Sequence, residues 1–489
     1  LGGIVNVITQ RPEGRPRLSL NASYGQDNTR GVGLQSGLQW NRWAFAGTLL
    51  YQDSDGYHYL SPESGDRAQR INTDYQRLNF NAKAYFNPTN RSEFLFNAGV
   101  HLSDYGMPPA LDSEKPRFWR FKNWNRYTLN AGGYTPLGTN SLARFRAYYV
   151  NHNNTLAMFK DPEMTQQRFE SAHDNSVYGF FGLADLSTHT NNRLKFSFDY
   201  KGDDVRTQDD VGDPWNAYDQ LTVSFGVEDH FSLAPAWQLV LGLSYDYLDK
   251  YIGENTSKIN PLVGIKYSPL NSLDLHLSFS HKSRFPSMRS MYSVPSGNPD
   301  LLSESGTMWE LGFTFSQDLF LSGAVFLMDF KDMIESVRLP EYDFQRYYFN
   351  IGKARINGFE LQAQKNLPHM GFTLNYTFLD HWNETEDLPL LLLSKHSLNF
   401  DVQIFPLTGI RLGLNGSWAS NSYSLLFEGG DLEEVPAYFY LDSVLAYRWR
   451  QTEIFLKMTN IFNAYIYTEP GFPWRGRYFE LGFRTDILR

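Results

Sequence analysis

Apolar and polar side chains alternate along almost the whole chain, and this pattern predicts β-strands. In residues 273–280 the apolar side chains occupy the odd positions, and acidic, imidazole and hydroxyl groups occupy the even positions. The same alternation recurs at residues 78–86, 194–201, 309–315, 372–378 and 398–404. Because successive side chains of a strand point to opposite faces, each segment has one apolar face and one wet face. The sequence therefore predicts an all-β protein.

The lengths of the connections distinguish between two architectures that bury one face of so many strands. A soluble sandwich or propeller hides the apolar face in a core, whereas a transmembrane barrel turns it toward lipid. Short connections alternate with long polar ones along this chain. The long ones are expected at residues 52–74, 104–120, 155–173, 202–214, 283–304, 332–345, 380–392, 421–436 and 467–474. This asymmetry is typical of outer-membrane barrels, and no four-strand blade repeat is present.

The number of strands and the placement of aromatic residues also favour a barrel. The alternating segments number about 22, as in barrels with a plugged lumen. Residues 475–488 are predicted to pair with residues 17–25, which would close the sheet. Aromatic residues beside the short turns fit a girdle at the membrane surface; they are Trp40, Trp43, Trp237, Tyr447 and Trp449. The predicted fold class is a transmembrane antiparallel β-barrel with short periplasmic turns and long extracellular loops.

Composition removes several other classes of protein. The 489 residues carry 44 Lys and Arg against 53 Asp and Glu, a formal net charge of −9, which argues against nucleic-acid binding. No apolar run approaches the ~18 residues of a membrane helix. The chain has no cysteine, so disulfides, zinc–thiolate sites, iron–sulfur clusters and thiol nucleophiles are excluded.

Several strings, in order along the chain, resemble the barrel of TonB-dependent outer-membrane receptors. Residues 2–9 resemble the last strand of that family's N-terminal plug, and residues 53–57 resemble the top of its third barrel strand. Residues 285–305 resemble the seventh extracellular loop, and residues 350–360 resemble the strand after the eighth loop. Residues 460–477 resemble the region of the last two strands. The order and spacing of these strings over the full length make the resemblance specific.

The resemblance implies a function, a location and partners. A protein of this family imports a scarce nutrient such as a ferric siderophore, cobalamin or another metal chelate, so neither catalysis nor a cofactor is expected. The implied partners are TonB, the metal chelate, and the lipid and lipopolysaccharide of the bacterial outer membrane, and the barrel is expected to be a monomer. The alternative is a plugless passive channel. Use as a phage or bacteriocin receptor is compatible with either function.

The resemblance also divides the chain. We expect residues 1–10 to be a remnant of the plug domain and residues 11–489 to be the transmembrane barrel. The rest of the plug and the TonB box are expected upstream of Leu1, because a strand with plug chemistry has no role in an open pore. The chain ends on Asp-Ile-Leu-Arg rather than on the aromatic residue usual for the family.

Aromatic and basic residues of the extracellular loops are the candidates for ligand recognition. Aromatic rings offer stacking area, and Arg pairs with carboxylate or phosphate groups in a bidentate way. The candidates are Tyr57, His58 and Tyr59 in the second loop, Tyr105, Trp119 and Arg120 in the third, and Arg284, Arg289 and Tyr292 in the seventh. Packing between loops, or a place in the girdle, is the alternative interpretation for each.

An acidic stretch at residues 203–213 is a candidate calcium site, because clustered carboxylate oxygens are the ligands that this ion prefers. The candidate ligands are Asp209, Asp210 and Asp213. Their spacing is not that of an EF-hand, so a solvated acidic loop is the favoured interpretation. No nucleotide-binding glycine loop, zinc-protease helix or nucleophile elbow occurs in a suitable context.

Overall fold

A computed structural model describes residues 9, 11–111, 113, 115–293, 296–338, 346–425 and 432–488. Within these residues the chain is almost entirely β-structure, with one short helix in a loop. The strands are β1 (Arg17–Gly25), β2 (Arg30–Trp40), β3 (Trp43–Ser54), β4 (Tyr57–Leu60), β5 (Arg67–Arg70), β6 (Tyr75–Thr89), β7 (Ser92–Met107), β8 (Phe118–Pro136), β9 (Leu142–Phe159), β10 (Gln167–His189), β11 (Asn192–Gln208), β12 (Asn216–Ala234), β13 (Trp237–Lys250), β14 (Thr256–Leu270), β15 (Leu273–Arg284), β16 (Glu304–Ser316), β17 (Leu319–Arg338), β18 (Arg346–Leu367), β19 (Met370–Asn383), β20 (His396–Ile404), β21 (Ile410–Ala419), β22 (Ser422–Leu425), β23 (Leu432–Val435), β24 (Tyr438–Trp449), β25 (Thr452–Thr459) and β26 (Tyr478–Leu488). The helix is α1 (Met288–Tyr292).

Twenty-two of these strands form one closed antiparallel sheet. Each barrel strand pairs with its neighbours in sequence, and β1 pairs with β26 in a register that includes Ser19↔Asp486 and Tyr24↔Leu481. The pairs β4–β5 and β22–β23 are separate two-stranded hairpins within extracellular loops. The prediction of a barrel of about 22 strands, closed by the two ends of the chain, is confirmed.

The two faces of the barrel follow the alternation in the sequence. On β13, the outward side chains Leu241, Leu243 and Tyr245 are exposed on the outer surface, whereas Ser244 and Asp246 face the lumen. Near the periplasmic turns, Trp40, Trp237, Tyr447 and Trp449 are exposed on the outer surface, as the predicted girdle requires. None of the described helices is long and apolar enough to span a membrane.

Extracellular loops alternate with periplasmic turns, as expected. The loops that matter below are L2 (55–74), L3 (108–117), L5 (209–215), L6 (251–255), L7 (285–303) and L11 (460–477). Several segments expected to be loops are strands instead. They include residues 104–107, 118–120, 155–159, 167–173, 202–208, 332–338 and 380–383. At residues 167–173 and 202–208 polar side chains occupy both faces, so the apolar alternation that marks a membrane strand fades while the backbone pairing continues.

The expected plug remnant, residues 1–10, lies outside the described residues except for Thr9, to whose hydroxyl Lys83 of β6 donates a hydrogen bond of 2.7 Å. The assignment of residues 1–10 to a plug therefore stays a prediction.

Gly358 of β18 illustrates how closely neighbouring strands approach. A methyl group there would overlap the carbonyl oxygen of Phe378 and lie 2.8 Å from the ring of Phe326. At Gly264 of β14 the same methyl group would meet its nearest neighbour, the Cβ of Val240, at 3.8 Å, which is ordinary contact. The close approach explains glycine at position 358.

We predict that Gly358→Ala destabilises the barrel by about 1–3 kcal/mol, because strand backbone must shift to accept the methyl group. Gly264→Ala is the matched control and should change stability by less than about 0.5 kcal/mol. The stability of each variant is measured as the urea midpoint of the purified barrel in detergent, with unfolding monitored by the gel mobility of unboiled samples. Equal midpoints for the two variants would contradict this account.

Candidate ligand-binding site

The extracellular mouth of the barrel is narrowed by loops that are fixed to one another on one side and by a loop that folds inward on the other. L2, L3 and L11 form the first group, and L7 forms the second. The sequence-predicted ligand residues are distributed between these two groups and the upper ends of β7 and β8.

L2 is fastened to L11 through residues that were predicted to bind a ligand. The Tyr57 hydroxyl donates to the carbonyl oxygen of Pro473 at 2.9 Å, and the carbonyl oxygen of His58 accepts from the Gly476 N–H at 2.9 Å. Burial raises the pKa of the Tyr57 hydroxyl, partly offset by the nearby guanidinium of Arg70. Tyr59 is buried and its ring centroid lies 6.3 Å from that of Tyr465 in L11. The structure thus favours loop packing for Tyr57, His58 and Tyr59.

An ionic group joins the same loops to the top of the barrel seam. Asp27, which follows β1, accepts from Nη2 of Arg475 at 2.9 Å and lies 2.7 Å from Nδ1 of His58. The guanidinium of Arg475 also sits 3.5 Å from the centroid of the Tyr478 ring. Asp27 and Arg475 are 448 residues apart in sequence. Neither residue was predicted, because no local sequence pattern marks such a pair.

Arg70 at the end of β5 connects L2 to two further loops. Its side chain is only 2% exposed, and its Nη2 donates to the carbonyl oxygens of Pro109 in L3 and Gly471 in L11. Beside it, Nδ2 of Asn72 donates to the carbonyl oxygens of Met107 and Trp119, both at 2.6 Å. L2, L3 and L11 therefore form one interlocked frame, which we call the loop frame.

The predicted third-loop candidates lie on strands. Arg120 is in β8 and pairs with Asp74 at 2.8 Å and Asp104 at 2.7 Å, so its charge is already satisfied. Trp119 lies next to it in β8, and Tyr105 lies in β7.

Tyr105 belongs to an aromatic group on the lumen wall. Its ring centroid lies 5.1 Å from that of Phe121 and 5.9 Å from that of Trp124, and Trp124 in turn lies 4.4 Å from the ring of His152. Phe121, Trp124 and His152 were not predicted. The alternation in β8 and β9 could have identified two of them, because it places Trp124 and His152 on the polar, inward side of their strands.

L7 folds over the opposite part of the mouth. Met288, Met291, Tyr292 and Leu301 form a buried apolar cluster. Partly buried side chains from two parts of the wall pack against it: Val205 and Tyr218 from β11 and β12, and Ile334 and Tyr348 from β17 and β18. L7 is therefore a cap across part of the lumen rather than an open surface loop.

The three candidates predicted for the seventh loop have different surroundings, and one of them, Arg284, is the last residue of β15. Tyr292 is 6% exposed, stacks on Tyr218 at 5.1 Å, and bonds through its hydroxyl to the backbone of Ile252 in L6, so burial raises its pKa. Arg284 is paired with the buried carboxylate of Glu304. Arg289 remains exposed on α1.

The candidate calcium ligands lie in L5, as expected. Oδ1 of Asp210 accepts from the N–H groups of Glu170 and Val211, both at 2.9 Å, and the carbonyl oxygen of Asp213 accepts from Nε2 of Gln208 at 2.7 Å. In the described part of the chain, no three His, Asp or Glu side chains are arranged to hold a metal ion. The geometry of Asp209, Asp210 and Asp213 therefore gives the calcium hypothesis no support.

Comparison with known proteins places this architecture in a family. The family model described as "TonB dependent receptor-like, beta-barrel" matches residues 61–467. Among solved structures, the chain is similar to the copper transporter OprC (TM-score 0.83, 14% identity, covering 98% of this chain and 82% of that chain). It is also similar to the siderophore receptor PirA from Acinetobacter baumannii (0.81, 14%, 99% and 82%). A third similar structure is the FrpB iron transporter from Neisseria meningitidis, F3-3 variant (0.80, 12%, 97% and 82%).

At these identities the solved structures establish the fold, and the family model, which spans most of the chain, establishes membership. The chain belongs to the TonB-dependent receptor family and is a β-barrel protein of the outer membrane.

Proposed function

We propose that this receptor imports a metal chelate across the outer membrane with energy supplied through TonB. Family membership supports transport rather than catalysis. The similar structures are named as copper, iron and siderophore transporters or receptors, which points to metals as the nutrient. The observation that carries the proposal is a closed barrel of 22 strands whose mouth is narrowed by the loop frame and the L7 cap.

We also propose how the mouth divides its tasks. Buried hydrogen bonds hold the loop frame in place on one side of the mouth. Because these loops are already ordered, binding of a ligand costs little further conformational entropy there. Tyr105 and Arg289 remain the candidates for direct contact from the sequence-predicted set, and Trp124 and His152 join them. Tyr57, His58, Tyr59, Tyr292 and Arg284 would act by fixing the loops. No covalent step is part of this function.

The remaining partners are proposals that rest on the family. TonB would be engaged by a segment ahead of residues 1–10, and those residues would be the last strand of the plug. Lipopolysaccharide would surround the outer rim, where basic side chains meet its phosphate groups, and the barrel would act as a monomer.

Uptake should depend on TonB. In cells that express the receptor from its natural gene, we expect accumulation of radioactive iron, presented as a panel of anionic and neutral chelates, to require both the receptor and TonB. Deleting the gene for TonB should abolish the receptor-dependent part. Receptor-dependent accumulation that persists without TonB would favour the passive channel and contradict the proposal.

The loop frame should depend on the Arg475–Asp27 pair. Arg475→Gln removes a charged hydrogen bond worth about 1.5–3 kcal/mol, so L2 should open more often and trypsin should cleave sooner after the exposed Arg67. Arg355→Gln is the control, because it breaks an exposed pair with Asp329 outside L2 and L11. Limited proteolysis of the intact receptor measures the difference. Equal cleavage rates after Arg67 in both variants would show that Arg475 does not hold L2.

A further inference from the structure

The outer surface of β6 to β9 carries a group of small side chains on its lipid-facing side. Ala82 of β6 pairs with Ala98 of β7, and Ala131 of β8 pairs with Ala147 of β9, so the alanines of neighbouring strands are in contact. On β13 the outward positions are the large residues Leu241, Leu243 and Tyr245. The small residues of this surface are Ala82, Ala84, Ala98, Ala131 and Ala147. The barrel wall is therefore thinner here than at β13.

Large apolar side chains border these alanines and make a groove, which we call the alanine groove. Its walls are Phe45, Phe96, Leu129 and Tyr149, all exposed on the outer surface. Its volume is about 690 Å³. That volume lies within the range of about 300–1,000 Å³ that is usual for pockets holding small ligands. Because alanine and large apolar side chains line the groove, an apolar chain is the ligand that fits it.

The alanine groove lies in the periplasmic half of the membrane. Phe96 is five residues along β7 from Arg91 in the periplasmic turn, which is about 16 Å of strand. With the usual tilt of barrel strands, this is about 12 Å along the membrane normal, about half the height of the apolar band. An aromatic row of Trp43, Phe86 and Phe94 lies between the turn and the groove, with ring centroids 4.6 and 6.5 Å apart. Phospholipid acyl chains fill this half of the outer membrane, whereas the chains of lipopolysaccharide fill the other half.

A fixed positive charge lies at the periplasmic end of the alanine groove. Nη2 of Arg91, in the turn between β6 and β7, donates to the carbonyl oxygens of Gly138 and Thr139 in the turn between β8 and β9. Among the residues that the structure describes, Arg91 forms no ion pair, and the neighbouring carboxylate of Glu93 is paired with Arg11 instead. The guanidinium is thus held between the two turns below the groove with its charge not neutralised.

Hydroxyl groups lie beside this arginine on the outer face. Ser92 is 4% exposed, and its Oγ accepts from Oγ1 of Thr89 at 3.0 Å and lies 3.2 Å from Oγ1 of Thr135. Ser92 shares the outward face of β7 with Phe94 and Phe96, because the three residues are two apart along the strand. Guanidinium and hydroxyl groups are donors to phosphate oxygens, and the pair between arginine and phosphate is charge-assisted. The periplasmic end of the groove therefore suits a phosphate group.

A second outward groove provides an internal comparison. It spans β9 to β13, has a volume of about 630 Å³ and is lined by Phe180, Phe198 and Phe225. The arginine at the start of β11, Arg193, donates from Nε and Nη2 to the carboxylate of Asp185, so its charge is neutralised. An acyl chain can enter either groove, but the alanine groove is the one of these two with an unpaired guanidinium at its periplasmic end.

We infer that the alanine groove binds one acyl chain of an anionic phospholipid of the periplasmic leaflet, with the phosphate group of that lipid on Arg91. The chain covers the alanines, and the aromatic row of Trp43, Phe86 and Phe94 lies beside the glycerol region. A net negative head group is favoured over a zwitterionic one, because no carboxylate neutralises Arg91. This lipid would be held by the barrel itself, whatever ligand the lumen transports.

The test measures lipid binding to the intact receptor, purified and freed of lipid in an uncharged detergent. Phosphatidylglycerol and phosphatidylethanolamine with identical acyl chains are added separately, and native mass spectrometry counts the lipids that remain bound. The wild-type receptor should retain one phosphatidylglycerol more tightly than any phosphatidylethanolamine. Added salt should reduce this preference, because the contact with the head group is ionic and lies at the membrane surface.

Arg91→Gln should weaken binding of phosphatidylglycerol by about tenfold and leave phosphatidylethanolamine little changed. Arg91→Lys, which keeps the charge, should lose less than Arg91→Gln. Arg450→Gln is the matched control, because it removes an exposed arginine from the turn between β24 and β25, and it should leave the preference unchanged.

Ala98→Leu fills the alanine groove with a side chain that suits the lipid-facing surface, so the tightly bound lipid should be lost while the barrel stays folded. Ala184→Leu makes the same change in the second groove and should leave that lipid in place. Gel mobility of unboiled samples confirms folding of both variants.

Three results would overturn the inference. The first is equal retention of the two phospholipids by the wild-type receptor, and the second is equal loss of phosphatidylglycerol in Ala98→Leu and Ala184→Leu. The third is a dimer in lipid-free detergent, measured by light scattering, that Ala98→Leu converts to monomers, since the groove would then be a contact between two copies of the chain.

Discussion

Closure of the hydrogen-bonded sheet is the constraint on which the rest of this structure depends. A lipid environment offers no water to backbone N–H and C=O groups, so a sheet that spans it must have no free edge. Here the last strand, β26, pairs with the first, β1, and the Ser19 hydroxyl donates to Asp486 across that seam at 2.7 Å. The closed ring brings L2 and L11, which lie at opposite ends of the sequence, to the same rim. The pair between Asp27 and Arg475 is possible only because the ring closes.

The barrel could be predicted from the sequence because the requirement on each strand is local and is repeated along the chain. A strand between lipid and a wet lumen needs side chains that alternate, and tight turns must separate such strands on one side. The predicted strand boundaries were wrong where this alternation ends. At residues 167–173 and 202–208 the strands continue, but the polar side chains on both faces no longer distinguish strand from loop. The helix α1 in L7 was also missed, because five residues are too short to show a helical period.

The site was harder to predict because its contacts join distant parts of the chain. Composition identified Tyr57, His58 and Tyr59 as aromatic or basic loop residues. It could not show that Tyr57 and the backbone of His58 bond to L11 or that the ring of Tyr59 packs against L11. Arg120 was chosen for its charge, and the structure pairs that charge with Asp74 and Asp104. No sequence motif marks Arg70 or Trp124. What decides whether an arginine is free for a ligand is the position of the nearest carboxylate, and that position is a property of the fold.

The ways in which Arg70 and Arg475 are held give both a structural role at the rim of the barrel. Arg70 is buried, and its Nη2 donates to the carbonyl oxygens of two loops. Arg475 is neutralised by Asp27. Both arginines therefore hold loops of the rim together, and the pair with Asp27 also neutralises the charge of Arg475.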